Sequence, residues 1–197
     1  GLSALVNWRL AVVVGTYVAL TTRYSIWMKH VPVLDVVGVA AGFVLRAIAG
    51  AAAVDVPISD FFFIVASFGS LFMVVGKRRA ETEELGPDAA QFRPTLGIYP
   101  RAYLAQLQTV SISVMLVGYC LWAFEKAGEL AATSDGGLLI PWFQLSIVPF
   151  AVAVLRYALL IDTGHGGAPE DVVLGDRALQ LAGAAWLLVF CIGVYAT

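Results

Sequence analysis

The stretch LFMVVGKRRAETEELG, residues 71–86, runs from apolar residues straight into Lys77, Arg78 and Arg79, and then into Glu81, Glu83 and Glu84. On a helix, Lys77 and Glu81 are i,i+4 and Arg78 and Glu81 are i,i+3. Such pairs steady an exposed helix by only about 0.2–0.5 kcal/mol each. A solvated helical extension accounts for the alternating signs without any ligand. A phosphorylated substrate with a magnesium ion needs the same mixture. Lys and Arg neutralise phosphate oxygens, and a carboxylate such as Glu81 takes the metal directly or through water.

Two further polar groups invite the same question. In RYSIWMKH, Arg23–His30, the Tyr24 hydroxyl and the Lys29 ammonium can hydrogen-bond phosphate oxygens. They can equally be basic anchors with an aromatic belt from Tyr24 and Trp27. In QFRPTLGIYPRAYL, Gln91–Leu104, Arg93, Tyr99, Arg101 and Tyr103 surround Pro94 and Pro100, which shape a connection and start the next helix. These are interfacial anchors, or they complete one basic pocket with the KRRAE segment.

Asp35 and Arg46 lie inside an apolar run, where an ionisable side chain is costly unless it faces a partner or a cavity. They are eleven residues apart. At 3.6 residues per turn that is nearly one helical face, with Gly38 and Gly42 along it. Either this stripe lines a cavity, or Asp35 caps the helix start and Arg46 pairs with a neighbouring helix. Arg156 stands near enough to a helix end to snorkel.

The elements that must position these groups follow from composition. The 197 residues are 60% hydrophobic and 13% charged, against about half and about a quarter in soluble proteins. This is the balance of a membrane protein. A net charge of −2 leaves no basic body for nucleic acid. Cys120 and Cys191 sit in apolar runs as packing residues, and His30 and His165 form no zinc motif.

Six apolar runs, 3–22, 33–54, 59–76, 102–124, 140–161 and 178–196, predict an all-α, polytopic transmembrane helical bundle. They are continuous rather than alternating, which argues against a barrel. The third is short and is expected to continue beyond the bilayer as a helix. The connections after runs one, three and five carry eight Lys and Arg; the others and the N-terminal edge carry two. That bias puts the first set on the cytoplasmic side and both chain ends outside. The outer connections AVDVPISD and EKAGELAATSDGG read as caps and turns, with Ser59 and Asp60 capping the third helix. Without Met or a signal sequence, the chain is expected to begin inside a longer polypeptide.

Local chemistry thus points to an integral membrane protein with a cytoplasmic anionic-ligand site. It leaves enzyme, transporter and scaffold open.

The ordered segments YSIWMKH, PVLDVVGVAAGFVLRAIAGAAAVDVPIS, FGSLFMVVGKRRAE, RPTLGIYPRAYL and APEDVVLGDRALQ resemble the UbiA-type membrane prenyltransferase superfamily. Within it, the similarity is to the decaprenyl-phosphate phosphoribosyltransferases of mycobacteria and related actinobacteria. It covers essentially the whole chain. The resemblance implies that the six runs are helices four to nine of a nine-helix fold, so residues 1–197 form the C-terminal part of one transmembrane domain. The family's first Asp-rich motif, of NDxxDxxxD type, is absent here. The second Asp-rich motif is replaced by KRRAE, with Lys77 and Glu81 at DxxxD spacing. Tyr24 and Lys29 are five apart, where the broader family often has four.

The activity so implied is transfer of 5-phosphoribosyl from phosphoribosyl pyrophosphate to a polyprenyl (decaprenyl) phosphate, releasing pyrophosphate. It would lie in cell-wall arabinan synthesis at the plasma membrane, with Mg2+ as cofactor. Lys77 and Glu81 are the implied catalytic pair. Arg78, Tyr24, Lys29, Arg93 and Tyr99 are implied substrate-binding residues, with Asp35 and Arg46 lining the cavity. Glu81 is a candidate metal ligand beside main ligands in the missing motif. Membrane lipids and a homo-oligomer are the other partners envisaged. A conventional prenyltransferase using a prenyl diphosphate, and an anionic-lipid transporter or flippase, are the alternatives.

Overall fold

A computed structural model of the chain describes residues 7–86, 94–133, 140–163 and 169–195. These are helical apart from short connections and contain no strand. Five helical stretches, Leu34–Ala53, Asp60–Glu83, Arg101–Ala132, Trp142–Asp162 and Arg177–Tyr195, are long and apolar enough to cross a membrane. The expected helical membrane bundle is therefore observed. The chain divides into two compact units, Gly1–Met115 and Leu116–Thr197.

The first unit begins with α1, Trp8–Ile26. It overlaps the first expected run, 3–22, but is not among the five stretches long and apolar enough to cross a membrane. Asn7 sets its start, its side chain accepting from the Leu10 N–H at 2.8 Å. The helix holds Arg9, Arg23 and three threonines. The hydroxyls of Thr16, Thr21 and Thr22 bond to carbonyls one turn back. A 3-10 turn, Met28–His30, leads to α2, Leu34–Ala53. At the far end of this pair the Asn7 amide donates to the Ala52 carbonyl at 2.6 Å, and Arg9 pairs with Asp55 at 2.7 Å.

Helix α3, Asp60–Leu85, opens on Ser59, whose hydroxyl accepts from the Phe62 N–H at 3.1 Å. The expected cap is present. At 26 residues the helix is about 39 Å long, against about 30 Å of hydrocarbon. The KRRAE segment therefore continues the helix past the apolar stretch. A second 3-10 turn, Pro94–Gly97, precedes α4, Arg101–Thr133. Val36, Ala40, Val74, Val75, Tyr99 and Leu104 form the core between α2, α3 and this corner.

The second unit holds the rest of α4, then α5 (Trp142–Leu145), α6 (Ile147–Asp162), α7 (Pro169–Gly175) and α8 (Arg177–Tyr195). Helix α4 continues through Thr133 in place of the turn expected from Glu125, and Lys126 and Glu129 make an i,i+3 ion pair on it at 2.6 Å. The fifth expected span is present as Trp142–Asp162, with a one-residue irregularity at Ser146 between α5 and α6. Pro149 has no N–H for the Leu145 carbonyl, and the Ser146 hydroxyl donates to the Phe143 carbonyl at 2.6 Å. The Tyr119 hydroxyl joins Ser146 Oγ and the Trp186 indole N–H, each at 2.7 Å. Two buried hydroxyls and a part-buried indole thereby satisfy one another among aromatic rings.

Candidate functional site

Asp35 sits in the first turn of α2 and is fully buried. An isolated carboxylate there would be prohibitive, and four groups answer it. The Thr95 hydroxyl donates to Oδ2 at 3.0 Å and the Tyr99 hydroxyl donates to Oδ1 at 2.5 Å. The third is Arg78, whose Nε lies 3.7 Å from Oδ2, an ion pair without a hydrogen bond. The fourth is the dipole of α2 itself, positive at this end. The three side chains come from two segments, α3 and the 94–99 corner, both distant from Asp35 in sequence.

The Tyr99 hydroxyl also accepts the Val33 N–H. Val33 has φ 69° and ψ −47°, a strained backbone for a β-branched residue. The bond holds the sharp turn that brings Asp35 to the head of α2. Burial, and then the hydrogen bond to the Asp35 carboxylate, push the Tyr99 phenol well above its ordinary value of 10.0. It is therefore a neutral donor at any physiological pH.

Arg78 is 3% exposed, although it lies on the polar end of α3. Its Nη1 donates to Glu81 Oε2 at 2.7 Å. Glu81 is 27% exposed and Lys77, one turn earlier, is exposed. The helix thus turns Lys77 and Glu81 outward and Arg78 inward. Arg79 bonds to the buried Gln108 of α4. A cleft of about 270 Å³ lies beside it, lined by Arg79, Thr82, Glu83, Arg101 and Ala105.

The structure brings together Asp35, Arg78, Glu81 and Tyr99 of the residues singled out by sequence. Tyr24 lies against Gly38: a Cβ on Gly38 would meet Tyr24 Cδ2 and Met28 Cε at 3.0 Å. Gly42 faces Tyr17. The glycine stripe therefore seats α1 on α2. Lys29 is exposed in the 28–30 turn, which packs against the 94–97 turn. Arg46 lies apart, hydrogen-bonded to the Tyr17 hydroxyl at 2.7 Å and stacked over Tyr17 and Phe43. This is the pairing with a neighbouring helix that sequence left open. Arg156 likewise has a partner, forming a two-point ion pair with Asp176 at 3.2 and 2.7 Å. Arg93 lies outside the described residues. Thr95 and Gln108 went unmarked in the sequence; a Thr after Pro and a Gln within an apolar helix carry no periodic signal.

Among the described residues no three His, Cys, Asp or Glu side chains group to hold a metal ion. Asp35 is fully buried, and Glu81 accepts from Arg78 through one oxygen, Oε2.

No family model matches the chain. Among curated proteins, the chain is 42% identical over 186 residues to a decaprenyl-phosphate phosphoribosyltransferase of Corynebacterium glutamicum, covering 94% of this chain and 54% of that protein. It is 39% identical over 199 residues to the protein of that name from Mycolicibacterium smegmatis, covering 98% and 62%. For Mycobacterium tuberculosis the figures are 39% over 178 residues, covering 90% and 56%. The chain thus spans 54–62% of the length of the relatives it matches.

Proposed function

We propose that this chain supplies the larger part of a membrane transferase that moves 5-phosphoribosyl from phosphoribosyl pyrophosphate to decaprenyl phosphate. The observation that carries this reading is alignment of 90–98% of the chain with proteins named for that reaction. The exposed Lys77 and part-exposed Glu81 at the polar end of α3 fit it chemically.

An acceptor phosphate oxygen attacks the anomeric carbon as the bond to pyrophosphate breaks. The acceptor is already anionic at neutral pH, so no strong general base is needed. Positioning and charge stabilisation carry the reaction. Lys77 neutralises the departing pyrophosphate, and Glu81 faces the cationic sugar carbon or the donor's hydroxyls. Tyr24, Lys29 and Arg93 serve the phosphates. A magnesium ion, held chiefly by polypeptide outside this sequence, would neutralise the donor's phosphates. The basic bias of the connections supports a plasma-membrane protein with this end facing the cytoplasm. The product would feed cell-wall arabinan synthesis.

The test uses membranes containing the full-length protein, decaprenyl phosphate and phosphoribosyl pyrophosphate labelled in the sugar. The reading requires label in the lipid extract and one pyrophosphate released per lipid labelled. Label that stays in the aqueous phase, with a prenyl diphosphate consumed instead, would favour a conventional prenyltransferase.

A further inference from the structure

The family resemblance implies that Arg78 binds substrate and that Asp35 lines the cavity, yet both are buried. Asp35 has no exposed surface and Arg78 has 3%. Additional polypeptide packed on this fold can only bury them further. Arg78 instead spans from Asp35, 3.7 Å from its Nε, to Glu81, 2.7 Å from its Nη1. Asp35 is itself fixed by Thr95 and Tyr99, and Tyr99 by Val33.

We propose that Asp35 and Arg78 are positioning residues: Asp35, fixed by Thr95 and Tyr99, anchors the buried Arg78 guanidinium, which sets the Glu81 carboxylate on the face shared with Lys77. This deepens the transferase reading and rests on it. A flexible glutamate on a helix end samples several rotamers. A fixed guanidinium bonded to one oxygen selects among them, in the manner of a support behind an active-site group. Lysine cannot substitute, because a single ammonium lacks the two-sided fork that faces Asp35 and Glu81 at once.

The experiment is a double-mutant cycle in the full-length enzyme, reading kcat/KM for phosphoribosyl pyrophosphate with detergent-extracted folded protein quantified in parallel. Asp35 does not touch Glu81, so coupling must run through Arg78. Asp35→Asn should lower kcat/KM about tenfold, in line with a sub-ångström misplacement. In a Glu81→Gln background the same change should cost less than about twofold. Arg78→Lys should behave like Asp35→Asn. Thr95→Ser should keep activity, while Thr95→Val should not. A merely structural role predicts losses that track the folded fraction and multiply with Glu81→Gln; that result overturns the proposal. If Asp35→Asn does not fold, Thr95→Val and Tyr99→Phe, which each remove a hydroxyl from Asp35, replace it in the cycle. Normal turnover in Glu81→Gln alone would instead sink the assignment of the Lys77–Glu81 face. No transfer by the unmodified enzyme would sink both.

Discussion

The Tyr99 hydroxyl donates to the buried Asp35 carboxylate while accepting the N–H of Val33, two residues before Asp35. One phenol thus stabilises both a buried charge and the strained turn that delivers it. Tyr99→Phe removes both bonds and leaves the buried Asp35 carboxylate without one of its donors. Its cost should be about 1–3 kcal/mol, seen as a lower midpoint in denaturant unfolding of the detergent-solubilised protein. An unchanged midpoint would show that water or a neighbour replaces the hydroxyl.

The same phenol predicts an alkaline response. Tyr99 keeps its proton in the folded protein above the pH at which an unfolded chain loses it, near its ordinary value of 10.0. The stability it contributes is complete below that pH and declines as pH rises towards the folded value. The alkaline limb of a stability–pH curve should therefore be shallower in Tyr99→Phe than in the unmodified protein. Parallel limbs would contradict the assignment.

Asp176 gives the acid counterpart. The Arg156 guanidinium, followed by the Leu179 N–H at 2.7 Å, holds this carboxyl below its ordinary value of 3.8. Its stabilisation is present above that value and is lost as pH falls below it. Asp176→Asn should lower the melting temperature at pH 7, and the difference from the parent should shrink as pH falls below 3.8 and the parent carboxyl takes up its proton. Equal loss at every pH would place the role in packing.

Gly38 tests how α1 seats on α2. A methyl there would press on Tyr24 and Met28 at 3.0 Å. Gly38→Ala should cost about 1–3 kcal/mol by overpacking, and a bulkier Gly38→Leu should abolish the folded state or displace Tyr24. Tolerance of leucine with native stability would mean that the helices do not meet as described.

Much of this architecture was legible in the residues. Continuous apolar runs placed the membrane helices, because a helix is the form that satisfies its own backbone in lipid. Ser59 marked the start of α3, and the i,i+4 signs of Lys77 and Glu81 marked its polar continuation. Helix ends were harder. Glu125–Thr133 looked like a turn but continues α4, since its Ala, Glu and Lys favour helix as strongly as its polarity favours water. The Ser146 irregularity depends on Pro149 and a hydroxyl bond that a hydropathy pattern does not register. The site was half legible. Charge inside an apolar run flagged Asp35, but its partners Thr95 and Tyr99 lie some sixty residues away in sequence. Only the packing of α2 against the 94–99 corner reveals them. The inward turn of Arg78, between an exposed Lys77 and a part-exposed Glu81, is likewise set by tertiary contact.

Under the proposed function, Lys77 and Glu81 form the reacting face of a phosphoribosyltransferase. This assignment is tested most directly by measuring labelled lipid product from full-length Lys77→Ala and Glu81→Ala enzymes shown to be folded. Each variant should lose at least about a hundredfold in turnover, the scale of removing one preorganised electrostatic group. Folded variants that make product at near-normal rates would contradict the account.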